Sequence, residues 1–268
     1  MTLKEMQACA AETLDYFIEV MPEAPFAKDD IVVEFVLKGK MAERAKALCA
    51  QYGIERIMTA SQEADLEKNS FANALIGKEK SAIIVRINHT MTAADLRTDM
   101  FHEYMHVFCA KLEMKGKQHF IDIYGTGTTT GEVGSAEDGL LSSGYAIWAE
   151  FIAQYYALIF TQEKKPLEEV SDYINHLIED ISPSNLSSKN CLAMACAYFV
   201  ACSDADEETA LFREELDDMD SLAQQAFFTC LFHLFDKLQT EKPWEITEGF
   251  VSELGFKYTM LLMAVAFG

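Results

Sequence analysis

The chain has 268 residues, half of them hydrophobic, and carries a formal net charge of −21. Its length suits one large domain or two small ones with a sizeable core, which excludes global disorder. A surface this acidic repels phosphate backbones and anionic lipid heads, which argues against nucleic-acid and membrane binding but tolerates neutral or basic peptides.

Helix and strand signals alternate in the first part of the chain. Apolar side chains recur at helical spacing in residues 2–20 and again in residues 40–52, where Gly53 ends the helix. The β-branched and aromatic run 31–37 predicts a strand, and residues 54–58 predict a second, shorter one. The polar stretch 61–70 is ambiguous. Residues 71–76 and 81–88 flank a turn around Gly77 and predict a hairpin.

A long helix is predicted after the hairpin. Thr92 and Asp95 resemble a capping box, which predicts a helix from Ala93 to about Met114 with Gly116 as its C-cap. A Gly- and Thr-rich loop then extends to about residue 138. Loops of this length in compact domains are often functional.

The remaining segments predict helices only. Tyr145, Trp148 and Ile152 repeat at helical spacing within residues 143–161, and further helices are expected at 166–180, 186–202, 207–216, 221–239 and 247 to the end. The chain is therefore predicted to be α+β. A small mixed sheet with helices is expected in residues 1–163, and a mostly α-helical subdomain in residues 164–268.

Two features predict a soluble, cytoplasmic protein. Residues 1–20 lack the apolar core of a signal peptide, and the apolar run from Tyr258 to Phe267 is too short to span a bilayer, so it is expected to be a buried terminal helix. The seven cysteines include no CxxC pair and mostly have apolar neighbours. This pattern is typical of reduced thiols packed in a core.

Five residues of the long helix carry the most specific chemical signal, His102-Glu103-Tyr104-Met105-His106. Histidines four apart share a helix face, so both imidazoles can bind one Zn²⁺ at about 2.0–2.1 Å. Glu103 can then act as general base toward water that the metal activates. This is the HExxH pattern of zinc metallopeptidases. The alternative interpretation is a helix whose two histidines hydrogen-bond in the core without metal.

A catalytic zinc site needs three protein ligands and an open position for water. The downstream candidates for the third ligand are His119, Asp122, Glu132, Glu137, Asp138 and Glu150. The metzincin pattern is excluded, because Leu112 stands six residues after His106. Glu150 is favoured, since small residues at 153 and 157 would let its helix pack closely against the HExxH helix. Glu137 and Asp138 remain alternatives.

The HExxH motif on one helix with Glu150 on a later one resembles the gluzincin branch of zinc metallopeptidases. The E-x-x-A-Q-x-x-A pattern from Glu150 to Ala157 is similar to the third-ligand helix of the repressor-cleaving immunity metallopeptidases of mobile elements. The resemblance extends from Ala82 to Ala157. It implies a zincin-like fold for the first part of the chain, Zn²⁺ bound by His102, His106 and Glu150, and a peptide or protein substrate. It also implies that residues 82–87 form a sheet edge that pairs with extended substrate.

Other polar residues are assigned supporting roles. A hydrogen-bond donor usually stabilises the oxyanion of such a reaction, and the candidates are Tyr124, Tyr145, Tyr155 and His119. Tyr145 is favoured as a catalytic residue because it lies near the start of the Glu150 helix. Asp99 is a candidate for orienting a ligand imidazole. The remaining histidines have no ligand spacing and are expected to be structural or surface residues; they are His89, His176 and His233.

The sequence thus favours a zinc-dependent peptidase with Glu103 as general base. The alternative function is a zinc-binding regulatory or interaction protein on a peptidase-like scaffold with little or no hydrolysis. An intact Glu103 favours the peptidase, since a protein that no longer catalyses hydrolysis need not keep the general base. The sequence indicates no particular oligomeric state.

Overall fold

The computed structural model describes residues 1–56, 58, 60–68, 70–116, 136–162 and 247–267, with a few helical residues between 174 and 229. The chain divides into two compact units, Met1–Gly131 and Glu132–Gly268. The fold is α+β as predicted, with a small three-stranded sheet and a mostly helical remainder. The predicted domain boundary after residue 163 lies outside the described residues and stays a prediction.

The first unit contains four α-helices and three strands among its described residues, with a short 3₁₀ helix at Lys28–Asp30 before the first strand. In chain order these are α1 (Leu3–Val20), β1 (Ile31–Val36), α2 (Met41–Tyr52), α3 (Ala60–Lys68), β2 (Ala72–Leu75), β3 (Ser81–Arg86) and α4 (Ala93–Gly116). Most of the predicted elements are confirmed. The short strand predicted at 54–58 is wrong, since none of its described positions is in a strand, and the ambiguous stretch after it forms α3.

The sheet has the strand order β1-β3-β2. β3 pairs in parallel with β1 on one side and antiparallel with β2 on the other. The expectation that residues 82–87 form a free edge is therefore wrong, because the hairpin partner and the crossover strand already take both sides of β3. The continuous burial from Ser81 to Val85 is typical of such an interior strand.

Helices cover both faces of the sheet. Alternate residues of β3 point to opposite faces, and Ala82 and Ile84 join a core cluster with Leu48 of α2 and Leu66 of α3. On the other face, α4 packs against β2 and against α1. The HExxH helix is thereby fixed to the sheet along one side and to the N-terminal helix along another.

The described cysteines are packed in the interior, as expected. Cys9, Cys49, Cys109 and Cys196 are buried free thiols. Burial raises the pKa of Cys9 and Cys49, and it raises the pKa of Cys196 to about 12. Thiols held in the protonated form are poor nucleophiles, so these cysteines act as small apolar side chains.

Two long helices of the second unit pack against each other, α5 (Ala136–Thr161) and α6 (Glu248–Phe267). The contact is a close approach of backbones at two glycines. A Cβ on Gly144 would overlap the carbonyl oxygen of Val251, and a Cβ on Gly255 would overlap that of Leu140. Glycine is therefore required at both positions for the helices to approach this closely.

Helix α6 is buried along one side only. Val251, Leu254, Tyr258 and Leu261 are buried, whereas the exposed apolar residues are Phe256, Met260, Met263 and Phe267. The expectation of a buried terminal helix therefore holds for one face. Within the described ranges, α6 is the one helix whose length and composition would allow it to cross a membrane.

Replacing Gly144 with Ala should destabilise the second unit by about 1–3 kcal/mol, the usual cost of adding atoms to a packed core. The added methyl group would meet the backbone of Val251, which cannot rotate away as a side chain can. Thermal unfolding followed by circular dichroism measures the change. Gly249→Ala in α6 is the matched control, because a Cβ there meets nothing within 4 Å. Equal losses in both variants would contradict the close packing.

Candidate metal centre

The N-terminus of α4 is fixed by a reciprocal cap. The Asp95 N–H donates to Thr92 Oγ1 at 3.1 Å, and the Thr92 N–H donates to Asp95 Oδ2 at 3.3 Å. Each side chain satisfies a backbone donor that the first turn of a helix leaves open. The predicted capping role of Asp95 is confirmed, and it sets where the helix begins.

An aromatic cluster determines which face of α4 meets α1. The Phe17 ring lies 4.9 Å from that of Phe101, 5.8 Å from that of Tyr104 and 6.3 Å from that of Phe108, between centroids. The Tyr104 hydroxyl donates to the Ala10 carbonyl at 2.9 Å, and burial raises the pKa of Tyr104, which keeps that donor protonated. This face of α4 is therefore buried in the core of the first unit.

The two motif histidines occupy the side of α4 opposite Tyr104. A helix advances by about 100° per residue, so Tyr104 points roughly 160–200° away from both of them. His102 and His106 are half-buried. Their Nε2 atoms lie 2.9 Å apart, with the ring planes inclined at 78°. Both imidazoles thus direct the same nitrogen toward a common point.

This geometry fits a metal ion. Two zinc ligands at about 2.0–2.1 Å in tetrahedral arrangement lie roughly 3.3 Å apart, so the two Nε2 atoms need to separate by less than about half an ångström. His102 and His106 each offer one imidazole nitrogen, and Glu150, the third ligand predicted from the sequence, would add a carboxylate oxygen. Two imidazoles and one carboxylate are a donor set that catalytic zinc sites use.

Glu103 is the buried carboxylate of the motif, with 8% of its surface exposed. It lies about 100° around α4 from His102 and about 60° from His106. It therefore borders the side on which the imidazoles converge. A carboxylate in this position is suited to accept a proton beside the metal ligands rather than to bind the ion itself.

The second unit carries Glu150 and the favoured tyrosine on α5. Glu150 is half-buried, whereas Tyr145 is buried, with its ring 5.5 Å from that of Trp148. Five residues separate Tyr145 from Glu150, which places them roughly 140° apart around the helix. The structure thus gives Tyr145 a packing contact, and its catalytic role stays a prediction. Tyr155, the other described candidate on this helix, is also buried.

Several candidates lie outside what the structure describes, namely His119, Asp122, Tyr124, Glu132 and His233. Glu137 and Asp138 lie in the first turn of α5, and their side chains are outside the described part as well. Asp99 is half-buried on α4, and its role in orienting an imidazole stays a prediction. His89 and His176 are exposed, as expected for surface residues.

Lys111 is a buried cation of α4 that the sequence reasoning missed. It is 6% exposed, and its Nζ donates to the carbonyls of Lys78 at 2.8 Å and Glu79 at 3.0 Å. Lys111 thereby ties α4 to the turn between β2 and β3, five residues after His106. The sequence feature that could have indicated its burial is its position as a single lysine within the apolar run Val107 to Leu112.

Comparison with known protein families, with curated proteins and with solved structures gave no match. A functional assignment therefore depends on the chemistry of these residues.

Stability in alkali should depend on Lys111. Burial lowers its pKa below the ordinary 10.5, so the unfolded chain binds more protons between the lowered value and 10.5. The contribution of Lys111 to stability therefore rises with pH through that interval. Lys111→Met should flatten this rise in thermal unfolding scans, whereas Lys46→Met, at an exposed lysine, should keep it. Identical pH profiles for wild type and Lys111→Met would contradict the buried charge.

The purified chain should bind one Zn²⁺, measured by metal analysis and competition with a chromogenic chelator. His106→Ala should lower zinc affinity by more than about 100-fold, because loss of an outer hydrogen-bond partner alone costs about 10–100-fold. His176→Ala, at an exposed histidine, should leave it unchanged. Unaltered zinc binding by His106→Ala would remove the site. The same titration of Glu150→Ala, compared with Glu137→Ala, tests the third ligand.

Proposed function

We propose that this chain is a cytoplasmic zinc-dependent peptidase of gluzincin type, built on a zincin-like domain of residues 1–163. The observation that carries the proposal is the convergence of two Nε2 atoms, 2.9 Å apart, next to a buried glutamate on the same helix. Two histidines that only hydrogen-bond to each other would also account for the 2.9 Å separation, but they would need no carboxylate beside them.

His102, His106 and Glu150 are the proposed ligands of the ion. Zn²⁺ bound there would supply a Lewis acid that polarises a peptide carbonyl and activates water. Two imidazoles and one carboxylate are a donor set that zinc sites of this kind use, which supports this choice of residues. The packing of α4 supports it further, because the aromatic cluster around Phe17 fixes the side of the helix on which the two histidines lie.

Glu103 carries the proton in the proposed reaction. Its carboxylate takes a proton from the attacking water and delivers it to the nitrogen of the leaving group. The leaving group therefore departs as a neutral amine rather than as an amide anion. Because Glu103 is buried, its field is less screened than that of a surface carboxylate. Tyr145 is retained as the proposed donor to the oxyanion.

The substrate is proposed to be a peptide or protein segment of neutral or basic character. The net charge of −21 supports this, since an acidic segment would be repelled as it approached. The same charge disfavours nucleic acid as a partner.

Glu103→Gln should retain zinc and lose about 10²–10⁴-fold in peptidase activity, the usual contribution of a general acid–base group. The amide has nearly the same size but cannot take the proton. A library of internally quenched fluorogenic peptides measures cleavage, and metal analysis measures zinc. Glu43→Gln, at an exposed glutamate, is the matched control and should keep full activity.

Equal cleavage by wild type and Glu103→Gln would remove the peptidase assignment. If zinc remained bound in both proteins, that result would favour the zinc-binding regulatory protein.

A further inference from the structure

The sheet of the first unit ends in an open strand. Among the described residues, β1 is at the edge of the sheet and pairs with β3 alone. The Ile87 N–H donates to the Val36 carbonyl at 2.8 Å, so the backbone groups of Val36 and of alternate residues before it face β3. Successive residues of a strand turn their backbone groups to opposite sides. The N–H and C=O groups of Val33 and Phe35 therefore face away from the sheet.

These backbone groups lack a partner within the part of the chain that the structure describes. The other edge of the sheet differs. There, Arg56 Nη1 donates to the Ala74 carbonyl of β2 at 3.0 Å and to Asn73 Oδ1 at 2.8 Å, which covers part of the edge with a cation. A charged side chain of this kind is a common protection of a sheet edge. β1 has a row of three apolar residues, Ile31, Val32 and Val33, and no such cover among the described residues.

A groove of about 360 Å³ accompanies the open edge. Ala11 and Leu14 of α1 form one wall, Val33 and Phe35 of β1 form the other, and Tyr104 of α4 also lines it. Gln7, Lys28 and Asp29 line the groove as well. Ligand pockets span about 300–1,000 Å³, so this groove has room for a few side chains rather than a large cofactor. The same two β1 residues thus present backbone groups outward and side chains to the groove.

The groove is separate from the candidate metal centre. It contains Tyr104, which points roughly 160–200° around α4 from His102 and His106. A chain bound in the groove therefore lies on the other side of the helix from the two imidazoles. Binding in the groove is therefore independent of the proposed peptidase activity.

We propose that the outer edge of β1 binds an extended segment of a partner protein as an additional strand. Hydrogen bonds to Val33 and Phe35 hold its backbone, and apolar side chains at alternate positions of the segment fill the groove, as in other strand additions. The segment is neutral or basic. The chain carries a net charge of −21, which attracts a basic segment and opposes the pairing of two copies through the same edge.

The probe is a library of random peptides displayed on phage and selected on the full chain. Selected peptides should alternate apolar and polar residues, with Lys or Arg at the flanks. Ala11→Trp should weaken their binding by about tenfold or more, because the indole fills the groove from an exposed position on α1. Ala50→Trp, at an exposed alanine of α2 outside the groove, is the matched control and should bind like wild type.

Val33→Pro tests the backbone pairing. Proline removes the outward N–H of Val33 and spares the hydrogen bonds between β1 and β3, a placement that edge strands tolerate. Peptide binding should fall while the thermal unfolding temperature changes little. Should Val33→Pro fail to fold, Ala11→Trp still tests the groove without altering β1.

Hydrogen exchange measured by NMR on the wild-type chain gives a direct signature. Added peptide should slow exchange at the amides of Val33 and Phe35 and leave Val32 and Glu34, which already face β3, unchanged. Protection in that alternating pattern without peptide, together with a dimer in solution, would assign the edge to a second copy and overturn the proposal. Selected peptides that bind all variants equally, or a library that yields none, would also overturn it.

Discussion

The packing of one face of α4 against α1 is the constraint on which the rest of the first unit depends. Phe101, Tyr104 and Phe108 surround Phe17, and the Tyr104 hydroxyl donates a hydrogen bond to the Ala10 carbonyl. Aromatic pairs of this kind contribute about 0.5–1.5 kcal/mol each beyond the area they bury. Because a helix is rigid, fixing this face also fixes the direction in which the Cα–Cβ bond of every other residue of α4 points.

The rigidity of α4 explains why a metal pair and a partner groove can share one helix. The residues that contact α1 recur at three- and four-residue spacing, and so do the motif histidines, but the two sets are offset by about half a turn. Tyr104 lies between the core and the groove, whereas His102 and His106 converge on the opposite side. The candidate metal centre and the proposed partner groove therefore use opposite sides of the same helix.

The sequence predicts those features that depend on residues close together in the chain. Thr92 and Asp95 cap α4 because they are three apart, and the histidines converge because they are four apart on a helix. The helices, the first strand and the hairpin have equally local signals. The order of the strands does not, since the pairing of β1 with β3 joins residues about fifty positions apart. The resemblance to zincins implied that the strand before α4 is an edge strand, and only the non-local pairing with β1 shows that β3 is central.

The same distinction separates the parts of the candidate site. Lys111 was missed because its two acceptors are backbone carbonyls of a distant turn. Every residue has such a carbonyl, so the residue types of the turn do not indicate the contact. The apolar spacing around Tyr145 predicts a helix, but spacing alone does not say which side of that helix is buried. Glu150 was selected by the small residues after it, a weaker signal than the histidine pair, because the contact it implies joins separate helices. The chemistry of HExxH is thus encoded locally, whereas the completion of the site is a property of the whole fold.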